Sequence, residues 1–361
     1  MRLFQNSGLY PSYLRHLNML AAHATTFEER RRMFLNDRYG ALHLLQPVLA
    51  NEPYAFFTNG DDQILQNYWA SEKGMPVGSS LEQILLAQVE HHRTEVFYNL
   101  DPIRYPSRFV SKLPGCVKKT ICWRAVPGNA DLSEYDLLLN NFRSIREDWR
   151  AKGCRVESFF PAIDPVMDEY VAEEKSIDVL FVGGYSRHHS VRAKTLEKIA
   201  DLAETRKVVY CLDASRLTHL AESPLGRLLP LRNHRRPDSI ARIARPPIFG
   251  RRLYELIGRT RIVLNGTIDA AGSDRGNMRC FEAMGCGAAL VSDAGSYPPG
   301  MEPGVTIQTY DSPDQAVKLV SEGLGTWPLW SKMAAAGRCQ VSEFYSKLRQ
   351  WNRFIDLVAQ S

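Results

Sequence analysis

The sequence has few cysteines, no cysteine pair at a metal-binding spacing and no long hydrophobic run. Seven cysteines occur in 361 residues, an odd number, and no two of them form a CxxC pair. Neither a disulfide framework nor a zinc site is therefore indicated, and a reducing cytoplasm suits the chain best. No apolar run approaches the roughly 18 residues that a membrane-spanning helix needs, and the first residues lack a signal-peptide pattern. We therefore expect a cytoplasmic protein.

The net charge is mild, but one segment is strongly basic. The chain carries a formal charge of +5, and residues 227–252 contain eight arginines and one histidine against a single aspartate. One interpretation is a solvated arginine-rich face, and the other is a patch that contacts phosphates or an anionic membrane surface. Nucleic acid is not expected as a partner, because no basic platform with interleaved aromatic residues accompanies the segment.

Short apolar runs alternate with helical patterns along the chain. Strands are predicted at residues 1–6, 54–59, 95–100, 119–124, 135–140, 155–160, 177–182, 208–213, 261–266, 288–293 and 305–310. Helices are predicted at residues 12–34, 81–92, 142–153, 191–204, 249–260, 275–287 and 312–324. Apolar strands separated by helices indicate an α/β fold with parallel sheets. The length suggests two doubly wound domains, with a boundary in the proline-containing, acidic segment at residues 159–176.

A glycine pair follows the strand at residues 177–182. In FVGGYSRHHSVR the strand ends, Gly183 and Gly184 follow, and a helix begins near residue 190. Glycines allow a ligand to approach the backbone closely, and a helix N-terminus attracts anions. The spacing is not GxGxxG, so the dinucleotide fingerprint is absent, and a simple turn is the alternative. Arg187 and Arg192 favour a phosphate site, because a guanidinium fork suits phosphate oxygens.

Three charged residues interrupt the apolar, glycine-rich stretch RGNMRCFEAMGCG at residues 275–287. If this stretch forms one helix, Arg275, Arg279 and Glu282 lie on one face. Two arginines near a helix N-terminus suit a diphosphate, and a glutamate one turn deeper suits sugar hydroxyls. The alternative is an Arg–Glu pair on a surface helix, which contributes little energetically.

This stretch carries a family resemblance. RGNMRCFEAMGCGAALVSD, followed by Tyr-Asp-Ser-Pro-Asp-Gln at residues 310–315 and a helix, resembles the C-terminal domain of group 1 glycosyltransferases of the GT-B fold. It is most similar to the branch of CgeB-like spore-maturation proteins, as are FVGGYSRHHSVR and FGRRLYELIGRTRIVLNG. The similar region spans roughly residues 177–325.

The resemblance implies two Rossmann-like domains that face each other across a cleft. The acceptor-binding domain is then expected at residues 1–172 and the donor-binding domain at residues 173–340. A C-terminal helix at residues 341–361 is expected to pack back on the first domain.

The resemblance also implies roles for individual residues of the second domain. Glu282 takes the position of the glutamate that binds the donor ribose in the broader family. The acidic position eight residues earlier holds Asp274 here, where the family often has glutamate, and this departure leaves the handling of the sugar open. The cations for the diphosphate are expected among Arg187, Arg192, Arg275 and Arg279. Phe249 and Gly250 are expected to lie against the base of the nucleotide. Gly183, Gly184, Asn265 and Asn277 complete the predicted donor site.

An inverting enzyme also needs a base that takes the proton of the acceptor hydroxyl. Asp101 and Asp61 follow predicted strands, and His16 lies beyond the loop that contains Ser7 and Gly8. Both aspartates are also common turn residues, and a retaining enzyme needs no such base, so both stereochemical outcomes stay open.

The leading hypothesis is a bacterial, cytoplasmic glycosyltransferase of polysaccharide biosynthesis. It would move a sugar from a nucleoside-diphosphate donor to a glycan, a lipid-linked or a protein acceptor, and residues 227–252 would allow peripheral contact with the inner membrane face. No DxD pair is present, and Asp61-Asp62 lacks that spacing, so we expect neither a metal ion nor a cofactor. The alternatives are a GT-B nucleotide-sugar epimerase and a non-catalytic nucleotide-binding protein.

Overall fold

A computed structural model describes residues 1–226, 230–266 and 272–361 of the chain. Residues 227–229 of the basic segment and residues 267–271 of the loop before RGNMRC lie outside the described residues. The chain divides into two compact units. The first unit contains Met1–Asp164, residues 272–274 and Tyr345–Ser361, and the second contains the described part of residues 165–269 and Arg275–Phe344.

The described part of the first unit contains a parallel sheet of six strands. These are β1 (Leu3–Asn6), β2 (Ala55–Thr58), β3 (Val96–Asn99), β4 (Lys119–Trp123), β5 (Leu137–Asn140) and β6 (Val156–Ser158). The strand order is β2-β1-β3-β4-β5-β6, and each strand falls within one of the predicted apolar runs. Every residue of β1, β3 and β5 is buried, as expected for a parallel sheet that is covered on both faces.

Helices connect these strands. They are α1 (Pro11–Leu20), α2 (Phe27–Asp37), α3 (Gln46–Leu49), α4 (Gln63–Glu72), α5 (Leu81–His91), α6 (Ser107–Val110) and α7 (Arg143–Ala151). The prediction of one helix at residues 12–34 is wrong, because a capping box starts a second helix at Thr26. The side chain of Thr26 accepts a hydrogen bond from the backbone N–H of Glu29, whose carboxylate accepts one from the N–H of Thr26. This reciprocal pair satisfies two amides that a helix start leaves without partners.

The described part of the second unit contains another parallel sheet of six strands. These are β7 (Ile177–Gly184), β8 (Val208–Asp213), β9 (Ala244–Arg245), β10 (Thr260–Leu264), β11 (Ala289–Asp293) and β12 (Gln308–Tyr310). Their order is β12-β11-β10-β7-β8-β9. Such an open parallel sheet is typical of doubly wound folds, and its order reverses between β7 and β10. The two sheets confirm the predicted α/β class.

Helices also flank the second sheet. They are α8 (Ser190–Asp201), α9 (Arg216–Glu222), α10 (Asp238–Ile243), α11 (Gly250–Gly258), α12 (Met278–Gly285), α13 (Pro313–Gly325) and α14 (Trp327–Phe344). Helix α13 begins as the sequence predicts: the side chain of Ser312 caps it by accepting a hydrogen bond from the N–H of Gln315, and Pro313 occupies its first turn.

The last helix, α15 (Lys347–Gln360), belongs to the first unit. The ring of Phe354 lies 5.0 Å from that of Tyr98 and 6.0 Å from that of Phe159, measured between centroids. The ammonium group of Lys347 is buried and donates hydrogen bonds to the carbonyl oxygens of Ala41 and Leu44. Helix α15 therefore contributes both apolar and polar contacts to the core of this unit.

Candidate functional site

A cavity of about 230 Å³ lies at the carboxyl edge of the sheet in the second unit. It is lined by Val191, Arg192, Gly266, Arg275, Asp293, Ala294, Tyr310 and Asp311. Helix α8, which follows β7, supplies Arg192, and Gly266 follows β10. Ligands of open α/β sheets bind outside the carboxyl ends of the strands at the point where the strand order reverses. The cavity occupies that point.

Arg275 reaches the cavity from a loop, and the predicted helix at residues 275–287 is too long. Helix α12 begins at Met278, because Gly276 has a left-handed backbone with φ of 97°. A side chain at Gly276 would also lie 2.6 Å from the ring of Pro298. The backbone N–H of Arg275 donates a hydrogen bond to the carbonyl of Ser296 (2.8 Å), and its Nε lies 2.7 Å from Oδ2 of Asp293. Arg275 therefore does not share a helix face with Arg279 and Glu282.

Arg192 is the second cation of the cavity. Its guanidinium donates a hydrogen bond to the carbonyl of Gly184 and lies 5.2 Å from the centre of the Phe181 ring. Burial lowers the pKa of Arg192, while Tyr310 and Asp293 act in the opposite direction. The two arginines are thus fixed in place and partly removed from water, a condition that strengthens their attraction for a bound anion.

The glycine pair before α8 does not form the predicted loop. Gly183 and Gly184 extend β7 and pair with Leu212 and Asp213 of β8. A side chain at Gly183 would lie 3.3 Å from Nη2 of Arg192, so this glycine leaves room for the arginine. Arg187 is exposed and donates a hydrogen bond to the carbonyl of Arg235 (2.9 Å).

Arg279 and Glu282 form an ion pair within α12. Glu282 is buried, and burial raises its pKa while Arg279 lowers it. The Nε atom of Arg279 is buried and has no hydrogen-bond partner among the described residues. The arrangement therefore matches the alternative prediction of an Arg–Glu ion pair, although this pair is far more buried than one on a surface helix. The Nε of Arg279 is left as a hydrogen-bond donor that the described residues do not use.

Two predicted asparagines hold the start of α12 against the sheet. Asn265 donates hydrogen bonds to Oγ of Ser292 (3.0 Å) and Sγ of Cys280 (3.4 Å), and it accepts one from Asn277 (3.3 Å). Tyr310 donates to the carbonyl of Asn265 (2.9 Å). These side chains position the segment that carries Arg275.

The remaining predicted donor residues lie elsewhere. Phe249 precedes α11, and Gly250 begins it with φ of 57°, but neither lines the cavity. Asp274 belongs to the first unit. Its Oδ2 accepts hydrogen bonds from the backbone N–H (2.6 Å) and the hydroxyl (2.7 Å) of Ser144, at the start of α7. In this structure Asp274 caps a helix of the first unit.

In the first unit, the structure brings Asp61, Asp101 and the Ser7–Gly8 loop together where the strand order reverses, between β1 and β3. The N–H of Leu9 donates a hydrogen bond to Oδ2 of Asp61 (2.9 Å). A side chain at Gly8 would lie 2.8 Å from Oδ2 of Asp101. A larger residue at position 8 would therefore have to displace the Asp101 side chain.

Buried asparagines, which the sequence analysis did not identify, connect these loops. Asn6 donates a hydrogen bond to Oδ1 of Asn99 (2.9 Å) and accepts one from the N–H of Gly60 (2.8 Å). Oδ1 of Asn99 also accepts from the N–H of Asp101 (2.9 Å). An asparagine at the end of a strand was the available signal, because its amide satisfies loop backbone groups.

Asp61 lies in an environment that favours its protonated form. Burial raises its pKa to about 6, and nearby Asp101 adds to this rise, while the hydrogen bond from Leu9 and the charge of Arg104 oppose it. Its Oδ1 is buried and has no hydrogen-bond partner among the described residues. Asp101 pairs with Arg104, whose Nε lies 3.3 Å from Oδ2. The two carboxylates thus have different environments, which is the pattern that separates acid–base roles.

His16, the third candidate base, pairs with Asp37. Its Nε2 lies 3.5 Å from Oδ1 of that carboxylate, and its ring packs on Tyr13, which also donates a hydrogen bond to Asp37. Asp62, which follows Asp61, caps α4 and forms an ion pair with Arg30. Among the described residues, no group of three or more histidine, cysteine, aspartate or glutamate side chains is arranged to hold a metal ion.

The basic segment is partly engaged in internal contacts. Arg235 donates hydrogen bonds to the carbonyls of Ala221 and Gly226, and Arg236 pairs with Glu222. Arg242, Arg245 and Arg252 are exposed. In the part of the chain that the structure describes, no helix is both long enough and apolar enough to span a membrane.

Comparison with known proteins gives a family match and a fold match. Residues 195–356 match the family model described as "Glycosyl transferase-like". No curated protein sequence matches the chain.

Several structural matches cover nearly the whole chain. HepE of Anabaena, solved with UDP and glucose, matches with a TM-score of 0.60 at 11% identity, over 100% of both chains. An alpha-glucosyltransferase solved with UDP and DNA matches with a TM-score of 0.59 at 10% identity, over 99% of this chain and 98% of that one. A glycosyltransferase of Rickettsia africae matches with a TM-score of 0.54 at 9% identity, over 99% and 97%. The chain therefore has the fold of the GT-B glycosyltransferases, and its residues 195–356 are similar to a glycosyl transferase-like domain.

Proposed function

We propose that this protein is a glycosyltransferase that uses a nucleoside-diphosphate sugar as donor. The observation that carries the proposal is the cavity at the strand-order reversal of the second unit, where Arg192 and Arg275 meet the start of a helix. Glycosyl transfer builds negative charge on the leaving diphosphate, and fixed cations stabilise that charge without reorganisation. The family match and the UDP complexes of the similar structures support the same class of donor.

The predicted roles within the donor site are proposals of the same kind. Arg192 and Arg275 bind the diphosphate, and Asp293 orients Arg275. Glu282 and Arg279 contact the ribose, and the CgeB-like branch remains the proposed subgroup. Because fixed arginines supply the positive charge, we propose that transfer needs no metal ion. Activity that is lost with a chelator and restored by manganese would contradict this.

On the acceptor side, we propose Asp61 as the general base of an inverting reaction. Its raised pKa suits a group that must take a proton near neutral pH. Asp101 is the second candidate, and Asp101→Asn is expected to lower turnover while donor binding survives. The acceptor is a glycan, a lipid-linked saccharide or a protein. The exposed arginines Arg242, Arg245 and Arg252 would give a peripheral contact with the anionic face of the inner membrane.

The first experiment measures nucleotide binding directly. Isothermal titration with UDP and UDP-glucose on the full chain is expected to give saturable binding. Arg192→Met is expected to weaken it roughly tenfold or more, because a hydrogen bond to a charged group contributes about 1.5–3 kcal/mol. Arg259→Met is the matched control, because Arg259, which directly follows α11, is exposed and pairs with Glu255 of that helix. Equal affinities for the wild type and Arg192→Met would contradict the proposed site.

A further inference from the structure

Arg124 lies at the same sheet edge as Asp61 and Asp101. It follows β4 directly and is only partly exposed. Its Nε is buried and has no hydrogen-bond partner among the described residues, and no ion pair within those residues includes Arg124. Burial lowers the pKa of Arg124, while the charges of Asp101 and Tyr10 oppose this. The structure thus holds a guanidinium partly out of water, near a carboxylate that it does not contact.

Two arginines that are buried in the first unit, Arg30 and Arg31, have partners. The Nε of Arg38 is also buried without a hydrogen bond among the described residues, but it lies 4.0 Å from Oδ2 of Asp164. Arg30 donates to both carboxylate oxygens of Asp62 and to Asn18. Arg31 donates to both carboxylate oxygens of Glu28 and to Asn51. A buried donor without an acceptor is costly for the fold. Arg124 differs from these arginines because it is partly exposed and, among the described residues, no carboxylate pairs with it.

The surroundings of Arg124 define what that ligand can be. The loop after β4 passes close to the guanidinium, since a side chain at Gly128 would lie 3.7 Å from Nη2. Tyr10, at the start of α1, is 70% exposed. Asp101 and Asp61 supply carboxylate oxygens that accept hydrogen bonds from hydroxyl groups. A ligand that matches this edge carries a hydroxyl for the carboxylates and an anionic group for the guanidinium.

We propose that Arg124 binds an anionic group, a phosphate or a carboxylate, on the saccharide that accepts the transferred sugar. A guanidinium fork binds both groups through paired N–H···O bonds. The inference rests on the proposed function for the role of that saccharide as acceptor, whereas the binding itself is independent of transfer. The acceptor class is then a phosphorylated or uronic-acid-containing sugar, and Arg124 determines that specificity.

The test uses the full chain saturated with UDP, so that the arginines of the second unit are occupied. Isothermal titration compares glucose 1-phosphate, glucuronate and glucose. We expect one or both anionic sugars to bind at least tenfold more tightly than glucose, and the preferred anion distinguishes phosphate from carboxylate. Arg124→Met is expected to abolish this preference and leave the affinity for glucose unchanged. Arg124→Lys keeps the positive charge but lacks the paired N–H donors of a guanidinium. This variant is expected to retain part of the preference for anionic sugars. Arg108→Met, an exposed arginine of the same unit, serves as the control.

Thermal unfolding separates binding from a structural role. Because the buried Nε of Arg124 has no acceptor among the described residues, Arg124→Met is expected to unfold at the same temperature as the wild type or higher. A variant that unfolds at a clearly lower temperature, or does not fold, would assign Arg124 to structure and overturn the inference. Equal affinities of the wild type and Arg124→Met for the anionic sugars would also overturn it. If UDP does not bind, the proposed function fails. The affinities of the wild type and Arg124→Met for the anionic sugars are then compared without UDP, and that comparison still decides the inference.

Discussion

The Nε atom of Arg275 lies 2.7 Å from Oδ2 of Asp293, at the carboxyl edge of the second sheet. The carboxylate holds the guanidinium at the wall of the cavity, so that the arginine loses little conformational freedom when an anion binds. Preorganised charge of this kind is the main source of transition-state stabilisation in many enzymes. The turn at Gly276 and the ion pair with Asp293 together hold Arg275 at the proposed diphosphate site.

Arg275→Met removes one cation from the cavity. We expect the dissociation constant for UDP to rise roughly tenfold to a hundredfold, because a charge-assisted hydrogen bond is lost. Isothermal titration measures the change, and Arg259→Met is again the control. An unchanged affinity would place the diphosphate elsewhere.

Gly276→Ala tests the turn that directs Arg275 into the cavity. Alanine is strained at a φ of 97°, and its Cβ would lie 2.6 Å from Pro298. We expect a lower melting temperature and weaker UDP binding. Gly304→Ala is the matched control, because Gly304 has a φ of 77° but no atom of the described residues lies within 4 Å of the position that its Cβ would take. In that variant the free energy of unfolding should fall only by the backbone strain, about 1–2 kcal/mol. Its affinity for UDP should equal that of the wild type.

The sequence predicted the strands better than the chemistry of the loops. Apolar runs such as those at β1 and β3 indicate buried parallel strands, because a parallel sheet covered on both faces buries consecutive residues. The helix pattern at residues 275–287 did not reveal the turn at Gly276, since a glycine inside an apolar period is compatible with either conformation. The partner of Asp274 is Ser144, 130 residues away along the chain, and no local pattern encodes such a contact. Arg124 has no motif around it, so only the structure shows that it lies at this sheet edge with no ion pair among the described residues.

Asp61→Asn is expected to raise stability and lower activity at neutral pH. The pKa of Asp61 rises from 3.8 in the unfolded chain to about 6 in the folded one. Its contribution to stability is therefore fully present below pH 3.8 and is lost as the pH rises through 6. Asparagine avoids this loss and still accepts the hydrogen bond from Leu9. We expect the melting temperature of the variant to exceed that of the wild type at pH 7.5 and the two to converge near pH 4.

The activity of Asp61→Asn separates a catalytic carboxylate from a structural one. A loss of turnover of about a hundredfold or more, with UDP affinity intact, is expected of a missing base. Asp148→Asn, at a partly exposed residue of α7 that pairs with Lys152, controls for the general loss of a negative charge. A variant that is more stable and fully active would remove Asp61 from the mechanism.

The Arg279–Glu282 pair is expected to couple stability and nucleotide binding. Glu282→Gln leaves a largely buried guanidinium without its counter-ion, a change that typically costs about 3–5 kcal/mol. The double variant Arg279→Met with Glu282→Gln should recover most of that stability. It should not recover UDP binding if the pair contacts the ribose. Full recovery of both properties would make the pair structural only, and chemical denaturation with titration calorimetry measures the two effects.

Lys347 is expected to give the first unit a pH-dependent stability. Burial lowers its pKa from 10.5 to about 7, so the unfolded chain binds more protons than the folded one between these values. Stability should therefore rise with pH across this window and fall as the pH drops towards 7. We expect Lys347→Met to reduce this rise in urea midpoints measured between pH 7 and pH 9. Parallel pH profiles for the wild type and the variant would contradict the assignment.

The most direct measurement is a crystal structure of the full chain with UDP-glucose. We expect oxygens of the diphosphate within hydrogen-bonding distance of the guanidinium groups of Arg192 and Arg275, at the strand-order reversal between β7 and β10. A nucleotide bound at another place, with neither arginine in contact with its phosphates, would contradict the proposed donor site.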